Sequence, residues 1–282
     1  MFVEINDVRL NVEVLGPEGA PVLIAHHGGG GIGSLSEPKA TFGQLADKLR
    51  VVVFDARGCG QSEAEPPFSH AQWAADMDAL REWVGADEVV VAGGSYGGFL
   101  AQEYAVAYPE RTRAMILRDT SPDHSNLEVA FKWAREQSGV SLDWGKFERY
   151  WSGQIRDDED LRDCWEQMIP LYDYSYDGET HHGQFIGSGM YCRHEAHNWI
   201  YRHDQPNFDL KEALPNVTCP TLVTVGRGDW ICPVPFSEKI AALIPSSRLV
   251  IFEHSGHSPQ IEEPEHFQQV MRDFLTESGI LT

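Results

Sequence analysis

The sequence contains no long apolar run and no cluster of basic residues. A membrane-spanning helix needs about 18 or more consecutive apolar residues, and no such run occurs in this chain of 282 residues. The charge balance is acidic, with 43 Asp and Glu against 22 Lys and Arg, whereas nucleic-acid binding depends on clustered Lys and Arg. We therefore expect neither a membrane nor a nucleic acid as a partner.

Sequence patterns for disulfide frameworks and metal sites are also missing. The chain has an odd number of cysteines, at positions Cys59, Cys164, Cys192, Cys219 and Cys232. No two of them form a C-x-x-C motif. That pattern favours reduced, packed thiols. No H-E-x-x-H motif occurs, so we expect no metal and no cofactor. The first residues lack the basic start and long apolar core of a signal peptide, which predicts a cytoplasmic location.

Apolar strands alternate with helices along most of the chain. The strand-like segments are 2–5, 8–15, 21–25, 51–54, 88–92, 114–117, 221–225 and 248–252. Helix-like segments are 37–48, 70–84, 99–108, 233–244 and 263–276. This alternation is typical of an α/β fold with a mostly parallel sheet and helices on both faces. It breaks between 121 and 207, which predicts a core of 1–120 and 208–282 with a helical cap of 121–207.

Residues 91–98, VAGGSYGG, place a single serine in a glycine-rich turn between a strand and a helix. Gly93, Ser95 and Gly97 match the G-x-S-x-G pattern of a nucleophile elbow. In that turn the small residues let strand and helix approach closely, while the serine hydroxyl is raised into a cleft. The turn is not followed by the Lys-Ser or Lys-Thr pair of a P-loop. The sequence therefore predicts Ser95 as a nucleophile.

A serine nucleophile needs a base and an acid, which follow it along the chain in this arrangement. We predict His257 as the base, because it stands in the turn-forming part of the loop after the last strand, beside Gly256. His254 is the alternative. The acid should follow the preceding strand, where Asp229 comes just after Gly226 and Gly228. Asp119 is the alternative acid.

Backbone N–H groups near the serine would stabilise the negative charge that develops on the substrate oxygen. Tyr96 follows the nucleophile and supplies one N–H group. The second is predicted in the glycine-rich loop after the third strand, at Gly28 or, as the next choice, Gly29. His26 and His27 in the same segment are expected to pack rather than to bind a metal.

These motifs resemble the α/β-hydrolase family over nearly the whole length. The resemblance includes the glycine loop at 27–30, an Asp-x-Arg-Gly-x-Gly-x-Ser loop at 55–62, the serine elbow, Gly-x-x-Asp at 226–229 and Gly-His at 256–257. An elbow with Ser rather than Asp implies acyl transfer to water through an acyl-enzyme. Within the family, the elbow and the His27-Gly28-Gly29 loop are most similar to those of the prolyl aminopeptidases, although Gly30 stands where they have proline.

The same resemblance implies a binding site for the substrate's free amine. In prolyl aminopeptidases a Trp-Glu pair and a later Glu-Asn-His segment hold carboxylates that bind the α-ammonium group. Here the matching segments are Trp165-Glu166 and Glu195-Ala196-His197, with alanine in place of the asparagine. The resemblance therefore implies Glu166 and Glu195 as substrate-binding residues.

Three functions stay open at this point. The first is a serine aminopeptidase that releases N-terminal proline from small peptides. The second is a carboxylesterase or lactonase for small, partly apolar acyl substrates, with the same triad and an aromatic cap as an apolar lid. The third is a binding module without hydrolysis, which the filled triad positions disfavour. The partner is a small molecule or short peptide in the first two, and the sequence does not determine the oligomeric state.

Overall fold

A central eight-stranded sheet organises the computed structural model, which describes residues 1–136, 138–175 and 191–281. The strands are β1 (Phe2–Ile5), β2 (Val8–Leu15), β3 (Val22–His26), β4 (Arg50–Phe54), β5 (Val89–Gly94), β6 (Thr112–Arg118), β7 (Thr221–Gly226) and β8 (Ser247–Phe252). Their order in the sheet is β1-β2-β4-β3-β5-β6-β7-β8.

The sheet is antiparallel at one edge and parallel elsewhere. The strands β1 and β2 form a hairpin through Asn6 and Asp7, which have φ values of 46° and 65°, as a tight two-residue turn requires. The pairing of β2 with β4 is antiparallel, and all later pairs are parallel. Strands β3, β5 and β7 are buried along their whole length, because helices cover both faces. The predicted α/β architecture, a mostly parallel sheet with helices on both faces, is confirmed.

Ten α-helices occur in the described ranges. They are α1 (Ser36–Phe42), α2 (His70–Val84), α3 (Tyr96–Ala107), α4 (Asn126–Glu136), α5 (Trp144–Trp151), α6 (Asp158–Glu166), α7 (His194–Trp199), α8 (Val234–Leu243), α9 (Pro259–Glu262) and α10 (Pro264–Glu277). Trp73 of α2 and Leu100 of α3 belong to the apolar cluster on one face of the sheet. Phe42 of α1 and Phe267 of α10 belong to the cluster on the other face. None of these helices is long and apolar enough to cross a lipid bilayer.

Capping residues and turns set the ends of helices α1 and α2. Helix α2 begins after Ser69, whose hydroxyl accepts a hydrogen bond from Gln72 N at 3.2 Å, and ends at Gly85 with φ of 77°. Its range matches the prediction. Helix α1 is shorter than predicted, because a 3₁₀ turn over Gly43–Asp47 replaces its second half.

Helices α4 to α7 lie between β6 and β7 in the chain. An isolated antiparallel bridge pairs Asp123 with Asp209, so the segment leaves and re-enters the sheet layer at neighbouring points. Asp123 is buried and its carboxylate accepts a hydrogen bond from Lys239 of α8 at 2.8 Å, which ties the start of the segment to the core. The cap limits of 121 and 207 stay a prediction.

Candidate active site

Ser95 occupies a strained turn between β5 and α3. Its φ and ψ are 54° and −123°, a combination that costs energy in a residue with a Cβ and that is found at functional turns. The flanking glycines permit the turn. A Cβ on Gly93 would lie 2.1 Å from the Gly97 carbonyl oxygen, and one on Gly97 would lie 2.5 Å from that of His26. Strand β3, strand β5 and helix α3 therefore meet at backbone contact beside Ser95.

His257 and Asp229 are joined by a hydrogen bond. His257 Nδ1 lies 2.9 Å from Asp229 Oδ2, and both side chains are buried. The other oxygen of Asp229 accepts hydrogen bonds from the backbone N–H groups of Ile231 and Cys232 at 2.9 and 3.0 Å, so the carboxylate is fixed. His257 Nε2 is buried without a hydrogen-bond partner in the described ranges, and His257 lines the same cavity as Ser95. His254 is exposed.

Asp119, the alternative acid, is buried close to both residues. Burial, reinforced by the charge of Asp229, raises its pKa to about 7. Its Oδ1 accepts a hydrogen bond from Gly226 N at 2.9 Å, and its Oδ2 lies 3.4 Å from the Arg118 guanidinium. Because His257 bonds to Asp229 instead, the geometry favours Asp229 as the acid.

Asp119, Asp229 and His257 have ligand atoms within 4.8 Å of one another, the only donor set in the described ranges with a spacing suited to a metal. Both Asp229 oxygens already accept hydrogen bonds. The Arg118 cation lies against Asp119. These contacts favour a hydrogen-bonded dyad over a cation site.

The glycine loop after β3 lies against the serine turn. A Cβ on Gly28 would lie 3.4 Å from the Ser95 Cβ. The Gly28 N–H already faces the carboxylate of Glu37, at 3.4 Å from Oε2. In the part of the chain that the structure describes, the N–H groups of Gly29 and Tyr96 donate to no other group. Tyr96 also begins helix α3, whose N-terminus carries partial positive charge.

The two loop histidines are buried, and burial lowers the pKa of each. His27 Nδ1 donates to the Gly28 carbonyl at 2.8 Å, while its Nε2 accepts from Ala56 N at 3.1 Å. One neutral tautomer satisfies both bonds, so His27 links the loops that follow β3 and β4.

A cavity of about 190 Å³ lies between Ser95 and the segment that contains α4 to α7. Its floor includes Ser95 and His257. Aromatic side chains make up much of the remaining wall: Tyr96, Phe99, Tyr150, Trp151, Trp165, Tyr172 and Tyr201. The space therefore suits a small, largely apolar group next to the serine.

The structure places Glu166 and Glu195 outside the described lining of the cavity, and their role in substrate binding stays a prediction. Both side chains are exposed, and neither is among the described residues that line the cavity. The reason is the phase of their helices. Trp165 takes the inward position of α6, and the next residue points about 100° around the axis. Ala196 and His197 take the inward positions of α7 in the same way.

Two cavity residues were not predicted from the sequence. Arg118 is a buried cation at the carboxyl end of β6, and Glu37 is a buried anion in α1. A charged residue at the end of an apolar strand is a signal that could have identified Arg118. Glu37 carries no such signal, because it is one of 43 acidic residues and stands in a short helix.

A model of the α/β hydrolase fold matches residues 21–264. A protein of Pestalotiopsis fici named proline iminopeptidase PfmaB is 35% identical over 97% of this chain and 98% of its own length. A proline iminopeptidase of Heyndrickxia coagulans is 27% identical, covering 97% of each chain. Among solved structures, a thermophilic esterase from Thermogutta terrifontis has a TM-score of 0.71 and 26% identity, covering 99% of each chain.

Proposed function

The chain belongs to the α/β hydrolase fold family, and on that premise we propose that it is a serine hydrolase that acts through Ser95, His257 and Asp229. The observation that carries the proposal is the bond of 2.9 Å between His257 and Asp229, beside a cavity that also contains Ser95. The bond holds the imidazole in the tautomer that leaves Nε2 free to accept a proton.

Each residue has a role in an acyl-enzyme mechanism. His257 Nε2 takes the hydroxyl proton as Ser95 Oγ attacks the substrate carbonyl. Asp229 stabilises the imidazolium that forms. The N–H groups of Gly29 and Tyr96 receive the developing oxyanion, because the Gly28 N–H is engaged by Glu37. The imidazolium then protonates the leaving group, and a water molecule activated by the same histidine releases the acyl group.

The substrate we propose is a small ester or lactone with a largely apolar acyl group. The aromatic wall and the volume of about 190 Å³ support it. A free ammonium group would need an unpaired carboxylate in this space. Glu166 and Glu195 are exposed, and Glu37, which does line the cavity, is paired with Arg118 at 2.7 Å.

Release of N-terminal proline is the second candidate. The relative named proline iminopeptidase, 35% identical over nearly the full chain, favours it. On this alternative the substrate amine would have to approach Glu37, because that carboxylate lines the cavity beside the glycine loop.

A comparison of substrates and variants tests the proposal. Turnover of p-nitrophenyl acetate and of prolyl-p-nitroanilide is measured for the wild type and for Ser95→Ala, together with labelling by an organophosphonate. We expect ester turnover in the wild type and its loss by about 10⁴- to 10⁶-fold in Ser95→Ala. Ser258→Ala is the matched control, because Ser258 lines the same cavity but lies outside the elbow. Labelling should survive in the control and vanish in Ser95→Ala.

The outcomes separate the candidates. Ester turnover without prolyl turnover supports the esterase or lactonase, whereas prolyl turnover that exceeds ester turnover replaces it with the aminopeptidase. If the wild type turns over neither substrate and is not labelled, the serine hydrolase proposal fails.

A further inference from the structure

Arg118 contacts several of the segments that build the catalytic site. Its guanidinium donates to the main-chain oxygen of His257 at 2.9 Å and to Glu37 Oε1 at 2.7 Å. It also lies against the elbow, since a Cβ on Gly94 would stand 2.0 Å from Nη2. The side chain is buried. One rigid cation therefore connects the histidine loop, the serine turn and helix α1.

Glu37 extends this connection to the glycine loop. Its Oε1 accepts from Arg118 and, at 3.2 Å, from the Thr41 hydroxyl. Its Oε2 faces the N–H of Gly28 at 3.4 Å. Gly28 precedes Gly29, whose N–H we assign to the oxyanion. Consequently a continuous path of polar contacts runs from the His257 carbonyl through Arg118 and Glu37 to the loop that holds the oxyanion donor.

Glu37 and Arg118 neutralise each other's charge in the buried site. A single buried anion beside the oxyanion donors would oppose the negative charge of the transition state. With Arg118 at 2.7 Å, the pair is neutral as a whole. A buried ion pair has a desolvation cost that well-packed apolar residues would avoid. The need to fix the geometry of the neighbouring loops is a physical reason for an ion pair at this place.

We propose that Glu37 and Arg118 are positioning residues, which together set the distance between the oxyanion donors and the catalytic imidazole. The proposal rests on the proposed serine hydrolase mechanism. Neither residue needs to touch the reacting atoms. Glu37 acts through Gly28, and Arg118 acts through the His257 carbonyl and through Glu37.

Glu37→Gln tests the pair with little change of shape. Glu37 accepts from Arg118 on Oε1 and from Gly28 on Oε2, and in glutamine one of these two positions is an NH₂ group that can only donate, so one link is lost. We expect kcat for p-nitrophenyl acetate to fall by about 10- to 100-fold, since misplacement of catalytic groups by about 1 Å costs up to about 10². KM should stay within about threefold. The inhibition constant of phenylboronic acid, which mimics the tetrahedral state, should rise with the loss in kcat/KM.

The matched control is Asp76→Asn. Asp76 forms an equally buried ion pair with Arg57 at 2.9 Å, and neither residue lines the catalytic cavity. Both variants should lower the melting temperature, because each disrupts a buried pair. Glu37→Gln alone should lower kcat.

A double-mutant cycle examines the charge argument. Arg118→Met leaves Glu37 as an unpaired buried anion and also removes the cation beside Asp119, so it should lose more kcat than Glu37→Gln. The double variant should recover part of that loss, a coupling that independent sites do not show. If Arg118→Met does not fold, Glu37→Gln and its control carry the test.

Two results would overturn the inference: kcat of Glu37→Gln within threefold of the wild type, or an equal loss in Asp76→Asn. Either one leaves the serine hydrolase in place, since the wild type still turns over the ester and is labelled at Ser95. If the wild type does neither, the proposed function itself fails and this inference fails with it.

Discussion

Gly97→Ala should impair catalysis through backbone geometry alone. The added Cβ would lie 2.5 Å from the His26 carbonyl oxygen and 2.7 Å from that of His27. Both neighbours are backbone atoms, so no side-chain rotation can relieve the contact. Helix α3 would have to move away from the end of β3 by about 0.9 Å to reach an ordinary separation of 3.4 Å. Ser95 stands two residues before this position and moves with the helix.

A displacement of about 1 Å at the nucleophile costs about 10²-fold in rate. Overpacking of this kind costs about 1 to 3 kcal/mol of stability. We therefore expect Gly97→Ala to lower kcat for p-nitrophenyl acetate by about 100-fold. We also expect it to lower the free energy of unfolding by about 1 to 3 kcal/mol. The rate is measured at a temperature where both proteins are folded, and the stability by urea denaturation.

Gly43→Ala is the control for this experiment. Gly43 has φ of −60°, and its added Cβ would meet Leu15 Cδ1 at 3.5 Å, an ordinary contact. Its kcat should equal that of the wild type. A Gly97→Ala variant that keeps kcat within twofold and unfolds at the same urea concentration as the wild type would contradict this prediction.

Three other predictions follow from the site. Asp229→Asn should lower kcat by about 10⁴-fold, because an amide favours the wrong tautomer of His257; ester turnover measures it. Trp165→Ala should raise kcat/KM for p-nitrophenyl butyrate relative to the acetate by about tenfold, because space for two more methylenes opens in the wall. Burial lowers the pKa of His197 from 6.5 to about 4. The contribution of the neutral, buried imidazole to the stability of the folded state is therefore complete above pH 6.5 and is lost as the pH falls toward 4. Between pH 7.5 and pH 5 the shifted pKa of His197 should lower the free energy of unfolding of the wild type by about 2 kcal/mol. This part of the decrease should be absent in His197→Gln, and denaturation at the two pH values measures it.

Each of these has a contrary result. Near-normal turnover in Asp229→Asn would contradict the role of Asp229 and would favour Asp119 as the acid. An unchanged butyrate-to-acetate ratio in Trp165→Ala would place the acyl group elsewhere. If His197→Gln shows the full wild-type pH dependence, that dependence belongs to other groups, with His26 and His27 the first candidates because burial lowers the pKa of both.

The fold was predictable because its signal is local. Each inner strand is a short apolar run that is followed by a turn and then a helix, so the order of apolar runs and helix-like segments indicates the α/β alternation. Helix α1 shows the limit of such patterns. The apolar spacing of 37–48 suited one helix, but residues 43–47 adopt a 3₁₀ turn before β4. Helix ends depend on the chain that packs beside them.

Ser95, His257 and Asp229 could be proposed from the chain because each stands in a turn directly after a strand, and parallel strands bring such turns to one edge. The pair of Glu37 and Arg118 could not, because 81 residues separate its members and neither belongs to a motif.

Local order along the chain thus sufficed for the sheet and the serine turn, and for the prediction of an acid and a base in particular loops. The direction in which each cap side chain points depended on packing. A shift of one position rotates a side chain about 100° around a helix, so Trp165 lines the cavity while the adjacent Glu166 is exposed to solvent. The folded chain alone places Arg118 between Glu37 and the His257 carbonyl, because contacts between distant segments follow from three-dimensional packing and leave no periodic trace in the sequence.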